Sequence, residues 1–381
     1  MALKYLYVPS AYKAATAYGV LPNAAAADLT FGRASNGSRI NKDKLIETES
    51  SNVPRLDYSS GSCPTLFTEI SVTNLLTESE NFTDSDWSKA NSTVTANATI
   101  DPQGGNNGFL VSLNTSQAYL NQAVSFLAEA TTFSVYLKSP TVAGTYPLNW
   151  YAANGGAHHR ELVNVTTEWK RFEINFTPTG LGSRFIYIGD NRGAIGETLS
   201  SVYAWGAQVE SSAKATSYIK TEASTVTRSA DTGIVSGDLS SYINSTEGVL
   251  EFKASRSALK TAVISLSSSL TSGDNSVSLG FTTSATVLFH KILSSGSDVI
   301  TNTPSTISVD LTQMNVVKLK WKDGDFQAKI NDTVFTIAEA GGSLPFAATL
   351  KYLRIGYPND TSQDFAGAIQ YIKVYDSASD F

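Results

Sequence analysis

From about Glu78 to Phe381, apolar residues recur on every second position, and no stretch sustains a period of 3.6. That period belongs to strands with one buried face, so it limits the chain to β-structure. In WKRFEINFTP, Trp169, Arg171, Glu173 and Asn175 share one parity, and Phe172, Ile174 and Phe176 the other. TTFSVYLKS, RFIYIGD and SVYAWGAQVE repeat the pattern, separated by the turn-forming clusters DPQGGNNG, PTGLG and DNRGAIG. A second series follows, including GVLEFKAS, AVISLSSS, SVSLGFTT, LKYLRIGYP and AGAIQYIKVYD. In VVKLKWKDGDFQAKI, Asp323-Gly324 predicts a tight hairpin. Val317, Leu319 and Trp321 would face inward, and Lys318, Lys320 and Lys322 would face outward, where lysines discourage edge pairing. AYLNQAVSFLAEA reads either as a helix or as a strand plus loop. The expectation is an all-β chain, with an extended N-terminal segment over 1–76 and two antiparallel β-sandwich (jelly-roll) domains over 77–231 and 232–381.

Residues 1–76 differ from the rest. Apolar side chains come singly or in pairs between polar turn clusters such as ASNGSRIN and DYSSGSCP. Such a segment is expected to bury no core of its own and to lie along another surface. Charged residues are 16% of the chain, against roughly 25% in an average soluble protein. The polar surface therefore comes from Ser, Thr, Asn, Gln and Gly, as in extracellular and virion proteins, or in any Ser/Thr-rich β protein. With net charge −6 and no basic block, nucleic acid is not an expected partner. No apolar run approaches the roughly 18 residues that mark a membrane span. The opening MALKYLYVPSAYK lacks a signal-peptide pattern, so synthesis in a host cytoplasm and release by lysis are expected.

The chemistry-bearing residues are sparse. Glycoside hydrolysis needs two carboxylates roughly 5–10 Å apart. No E-x-D-x-x-E strand is present, and Glu247 and Glu251, which share a strand face, read as solvated ends. His158 and His159 would point to opposite faces of a strand, so no zinc set is evident. No G-x-S-x-G elbow occurs. The expectation is no enzyme, no cofactor and no metal. Asp101, Asp323 with Asp325, and Asp360 with Asp364 are candidates for a structural calcium, and each also reads as a turn residue. Cys63 reads as a small buried residue. Sugar binding needs exposed rings beside planar polar groups. Trp150, Tyr151, Asn154, His158 and Arg160 form the best such cluster, one of the two rings being core and the other surface. Trp169, Trp205 and Trp321 are expected in the core.

One stretch carries a resemblance. LTFGRASNGSRINKDKLIETESSNVPRLDYSSGSCPTLFTEISVTNLLTESENF resembles a segment that recurs in bacteriophage structural proteins, through Phe31, Arg33, Ala34 and Ser35, Ile46-Glu47, Pro54 to Tyr58, Cys63-Pro64, Leu66, Glu69 and Thr73 to Leu75. It departs from the pattern at Lys44-Leu45, where a glycine often precedes the Ile-Glu pair. TTEWKRFEINFTPTG and VYAWGAQVE resemble jelly-roll carbohydrate-binding modules, and the last domain resembles concanavalin-A-like or laminin-G-like sandwiches. The resemblance implies a virion head- or tail-fibre or decoration component. Its N-terminal segment, with Phe31, Arg33, Arg55, Asp57 and Tyr58, would attach to other virion proteins or wrap a neighbouring subunit. It also implies a homo-oligomer, trimer before dimer, touching host-surface polysaccharide. The alternatives are a capsid or tail spacer without ligand and a glycan-depolymerising enzyme.

Overall fold

Alternation along each strand and pairing between strands place the apolar parity of both series inward. The protein was described from a computed structural model, covering residues 2–115, 117–126, 129–152, 158–177, 182–190, 192, 194–256, 262–282, 287–300, 305–306, 309–337, 339–358 and 365–381. It is all-β and antiparallel. Helical geometry among the described residues is confined to short 3-10 turns such as Ala25–Ala27 and Ala378–Asp380. No helix among the described residues is long and apolar enough to cross a membrane. AYLNQAVSFLAEA supplies the strand Tyr119–Phe126, not a helix.

The chain divides into two units: Met1–Lys44, Thr48–Ser71 and Ser229–Phe381 form unit 1, and Leu45–Glu47 with Val72–Arg228 form unit 2. The later boundary between the units lies between Arg228 and Ser229. The expected separate segment over 1–76 does not exist as such.

In unit 1, one sheet runs in the order Thr333–Thr336, Gln327–Ile330, Asn315–Lys322, Glu247–Arg256, Gly367–Tyr375, Thr65–Thr68 and Arg55–Asp57, and Leu3–Tyr7 also pairs with Gly367–Tyr375. A second sheet contains Ser297–Ile300, Val287–Ser294, Ser276–Phe281, Ala262–Ser267 and Tyr352–Ile355. One apolar core joins them, and Tyr5, Tyr7, Leu29, Phe31, Leu56 and Leu66 belong to it alongside Leu250, Phe252, Leu279 and Ile369. The early residues therefore bury their side chains in the C-terminal sandwich. This corrects the expectation that they need a surface outside the chain.

The residues expected to attach are structural here. Arg33 Nη1 meets Asp231 Oδ1 at 3.0 Å, and Arg55 Nη1 meets Glu69 Oε2 at 2.6 Å. Arg55 Nη2 also pairs with Asp231, and the Glu69 amide donates to Asp231 Oδ2 at 2.7 Å. All four side chains are almost wholly buried. Buried charges persist only when each is paired and hydrogen-bonded, and this cluster meets that condition. Asp57 accepts from the Ile40 and Ser59 amides at 2.7 and 2.8 Å and so holds its turn. Tyr58 is half-buried on the wall of a cavity of about 520 Å³, with Val8, Pro9, Cys63, Pro64 and Tyr371. Cys63 is exposed, contrary to its expected burial.

The Asp323-Gly324 hairpin forms with a wider loop than expected. Lys320 pairs with Gln327, and a turn from the Asp325 amide to the Lys322 carbonyl uses Gly324 at φ +70°. Val317, Leu319 and Trp321 point into the core as expected. The lysines do not guard an edge, because their strand lies inside the sheet. Lys318 pairs with Glu251 at 3.0 Å, and Lys320 with Asp325 at 2.7 Å.

Unit 2 is a sandwich of two five-stranded sheets. The first runs Ser88–Ala90, Tyr119–Phe126, Gly182–Gly189, Gly144–Ala152 and His158–Val165. The second runs Ser92–Thr99, Gly108–Leu113, Ser201–Glu210, Thr131–Lys138 and Lys170–Phe176. Between them pack Val111, Leu120, Phe133, Val135, Leu148 and Ile186 among others. A register shift facing Gly206 (φ +63°) changes parity in the middle of Ser201–Glu210. Trp205 thereby turns outward, yet it stays buried between Tyr136 and Tyr218, with ring centroids 5.6 and 4.5 Å away. Tyr218 belongs to a strap that crosses this outer face. The strap is fixed by Thr132 Oγ1 donating to the Ser212 carbonyl, Arg171 donating to the Thr216 carbonyl and the Ile219 amide donating to Gln208 Oε1. Trp169 is half-buried rather than core, and its indole N–H donates to the Ile100 carbonyl at 2.8 Å.

Candidate functional site

The first sheet of unit 2 has an outer face of a different character. Tyr146, Leu148 and Trp150 point inward with Ile186, Ile188, Leu120 and Val163. The intervening residues must point outward, because successive side chains on a strand alternate. Register aligns Asn121, Tyr187, Asn149 and Arg160 in one row across four strands. The next row aligns Ala123, Phe185 and Tyr151, with His158 as the backbone partner of Tyr151.

Rings gather on this face. Tyr119 packs edge-on against Tyr187 with centroids 5.0 Å apart, and Phe185 lies 6.3 Å from Tyr187. The guanidinium of Arg192 lies over the Tyr151 ring, 5.5 Å from its centroid. Tyr119, Tyr151 and Phe185 are half-buried, and Arg192 is exposed. Tyr187 lies deeper. Burial pushes its phenol above the ordinary value, a hydrogen bond with Asn121 works against the shift, and nearby Tyr119, Tyr151 and Asp190 add to it.

Asp190 organises the polar half. It follows the strand Gly182–Gly189 and is buried. Its Oδ1 accepts from Asn149 Nδ2 at 3.3 Å and from the Arg192 amide at 2.9 Å, while its Oδ2 pairs with Arg160. One carboxylate thus fixes an amide, a loop and a guanidinium that keeps 24% of its side-chain surface exposed. Rings beside preset planar donors and acceptors are the equipment that recognises a sugar ring with its vicinal hydroxyls.

Of the residues singled out from sequence, Tyr151 and Arg160 lie on this face. Trp150 does not: it is a core residue, stacked on Phe176 at 4.3 Å. Asn154 lies outside the described residues, as does the side chain of His158. Sequence reasoning missed Tyr119, Asn121, Asn149, Phe185, Tyr187, Asp190 and Arg192. The signal was in RFIYIGD, where Phe185 and Tyr187 share one parity and Ile186 and Ile188 the other.

The other candidates resolve as structural groups. Glu251 is buried between Lys318 and Lys373, at 3.0 and 3.2 Å. Burial would raise its carboxyl, but hydrogen bonds from Lys318 and Tyr371, with the charges of both lysines, hold it below the usual range. It is thus not a solvated end. Glu247 pairs with Lys322 at 3.6 Å. Asp101 accepts from the Gln103, Gly105 and Asn107 amides and closes its own turn. Asp323 accepts from the Leu344 amide at 3.1 Å. Asp360 and Asp364 lie outside the described residues. His159 sits 3.6 Å from Glu161 at a half-exposed position. Among the described residues no group of three or more His, Cys, Asp or Glu is placed to hold a metal ion.

No protein-family model and no curated protein matches the chain. Among solved structures it is similar to TmCBM61 in complex with β-1,4-galactotriose, at 19% identity and a TM-score of 0.27, over 36% of this chain and 97% of that one. It is also similar to the enzymatically active domain of tailspike protein 4 of bacteriophage CBA120, at 14% identity and a TM-score of 0.27, over 36% of this chain and 21% of that one. Domains LG4-5 of the mouse laminin α1 chain are similar at 8% identity and a TM-score of 0.27, over 68% of this chain and 86% of that one.

Proposed function

We propose that this chain is a non-enzymatic glycan-binding component of a bacteriophage particle, and that the outer face of the first sheet of unit 2 is its binding surface. The observation that carries the reading is the contiguous set of Tyr119, Phe185, Tyr151 and Arg160 over a buried Asp190, Asn149 and Tyr187 support. The opposite sheet has its outer face strapped over by Ser212 to Thr221, so the aromatic face is the one left for a ligand. Rings half-buried in their own sheet lose little freedom on binding, and a sugar face can lie flat on them.

Each contact of this kind is weak, and many copies on one particle would supply useful avidity. The phage assignment is supported by the sequence resemblance over Leu29 to Phe82. Because residues 1–44 and 48–71 are built into unit 1, attachment to the particle would use the outer surface of that unit and not a free arm. The partners expected are other virion proteins, further copies of the chain and host-surface polysaccharide.

The test is a glycan array probed with the full chain and with Tyr151→Ala. Binding is expected to fall about tenfold in the variant, the loss of one stacked ring. Urea unfolding should shift by no more than about 1 kcal/mol, since Tyr151 lies outside the core. No binding by the wild-type chain to any glycan would sink the reading and leave a spacer. Release of reducing sugar from a bound polysaccharide would replace it with an enzyme. Peptides of the chain in purified virions would test the particle assignment.

A further inference from the structure

We infer that the glycan is acidic, and that Arg192 takes its carboxylate. This inference rests on the binding face proposed above and narrows its ligand.

Among the described residues, Arg192 is the one arginine whose guanidinium has neither a hydrogen bond nor an ion pair. The others are committed. Arg33, Arg55 and Arg160 pair with carboxylates, Arg39 with Glu49, and Arg171 and Arg256 donate to carbonyls. Arg192 is nevertheless not adrift. Its amide is tied to Asp190 and its guanidinium lies over Tyr151. The group is exposed beside the ring, and its N–H donors are left to grip a carboxylate through two parallel bonds.

The balance of charge on the face agrees. Asp190 is the carboxylate whose charge Arg160 engages, and it meets Arg192 through that residue's backbone amide alone. The named groups therefore leave one positive charge beside the rings, on a chain whose net charge is −6. A chain of that sign does not draw acidic polymers non-specifically, so an acidic ligand has to be met by a local cation. A neutral sugar would leave the Arg192 donors without a partner. A uronic acid stacked on Tyr151 would present its carboxylate to those donors.

The experiment uses the full chain and oligosaccharides of polygalacturonate, alginate and hyaluronate, each beside its methyl ester, with neutral galactan and xylan oligosaccharides as a second panel. At least one uronate is expected to bind about tenfold or more tightly than its ester, as a charge-assisted pair implies. Arg192→Gln should erase that difference and keep the weaker binding of the ester. Raising salt from about 50 to about 500 mM should weaken the uronate and spare the ester. Lys214→Gln, a change of the same charge on the strap, should alter nothing. If the esters or the neutral panel bind as tightly as the uronates, and Tyr151→Ala abolishes that binding, the acidic ligand is refuted while the face stands. If neither panel binds the wild-type chain, both are refuted.

Discussion

His290 makes unit 1 sensitive to acid, and the size of the effect follows from where it sits. On the strand Val287–Ser294 it shares the inward parity of Leu288 and Ile292 and lies opposite Leu279. Its side chain is wholly buried, and burial lowers its pKa from 6.5 to about 4. The folded pKa is thus below the unfolded one, so the unfolded chain binds the extra proton. Stability is then unaffected by this group above about pH 6.5 and is lost as pH falls from there towards 4. The slope in that window is about 1.4 kcal/mol per pH unit, which makes roughly 2 kcal/mol at pH 5 and roughly 3 kcal/mol below pH 4. In His290→Leu this slope between pH 6.5 and 5 should vanish, because Leu carries no proton. Any offset at neutral pH leaves the slope untouched. Peptide-resolved hydrogen exchange over 276–294, at pH 7.5 and pH 5, isolates unit 1. Equal slopes in wild type and variant, or a His290 imidazole titrating near 6.5 in the folded chain, would refute the reasoning.

Other changes test separate parts of the fold. Asp231→Ala strands Arg33 and Arg55 in the interior and should cost about 3–5 kcal/mol by urea unfolding; a loss under 1 kcal/mol would contradict the buried cluster. Trp150→Ala should destabilise unit 2 by about 3–5 kcal/mol, whereas Tyr151→Ala should leave it within about 1 kcal/mol; the reverse order would overturn the assigned parity. Glu251 is held below the usual carboxyl range, so its pairing with Lys318 and Lys373 stabilises above about pH 4.3 and is lost as pH falls. Glu251→Gln should remove that acid-dependent part of the denaturation curve. Cys63 should react with a thiol reagent in the native chain without denaturant, and protection would contradict its exposure.

Strand parity was readable in the longer strands that alternate without interruption. Lys170–Phe176 and Asn315–Lys322 bury the parity that their letters announce. The N-terminal region was not readable, because its strands are two to five residues long, too short to show a period. Their partners are also far away: Leu3 pairs with Tyr375, and Arg33 meets an aspartate 198 positions on. A run of isolated apolar residues looks unable to form a core when the other half of that core is at the far end of the chain. The site was half legible. Tyr151 and Arg160 announced themselves as aromatic and cationic neighbours of a strand. Asn149 and Tyr187 come together only through register, which joins four strands in one row, and Asp190 lies just past the end of one of them.

The division of the chain has a consequence for its birth. Unit 2 is nested within unit 1 and is nearly continuous, so the ribosome releases all of it while unit 1 still lacks its second half. At ~5–20 residues per second, emergence of 229–381 takes roughly eight to thirty seconds more. Throughout that interval Tyr5, Tyr7, Leu29 and Phe31 have no sandwich to enter. Nascent chains should then be most prone to capture by chaperones, or to clumping with one another, before the last strands arrive.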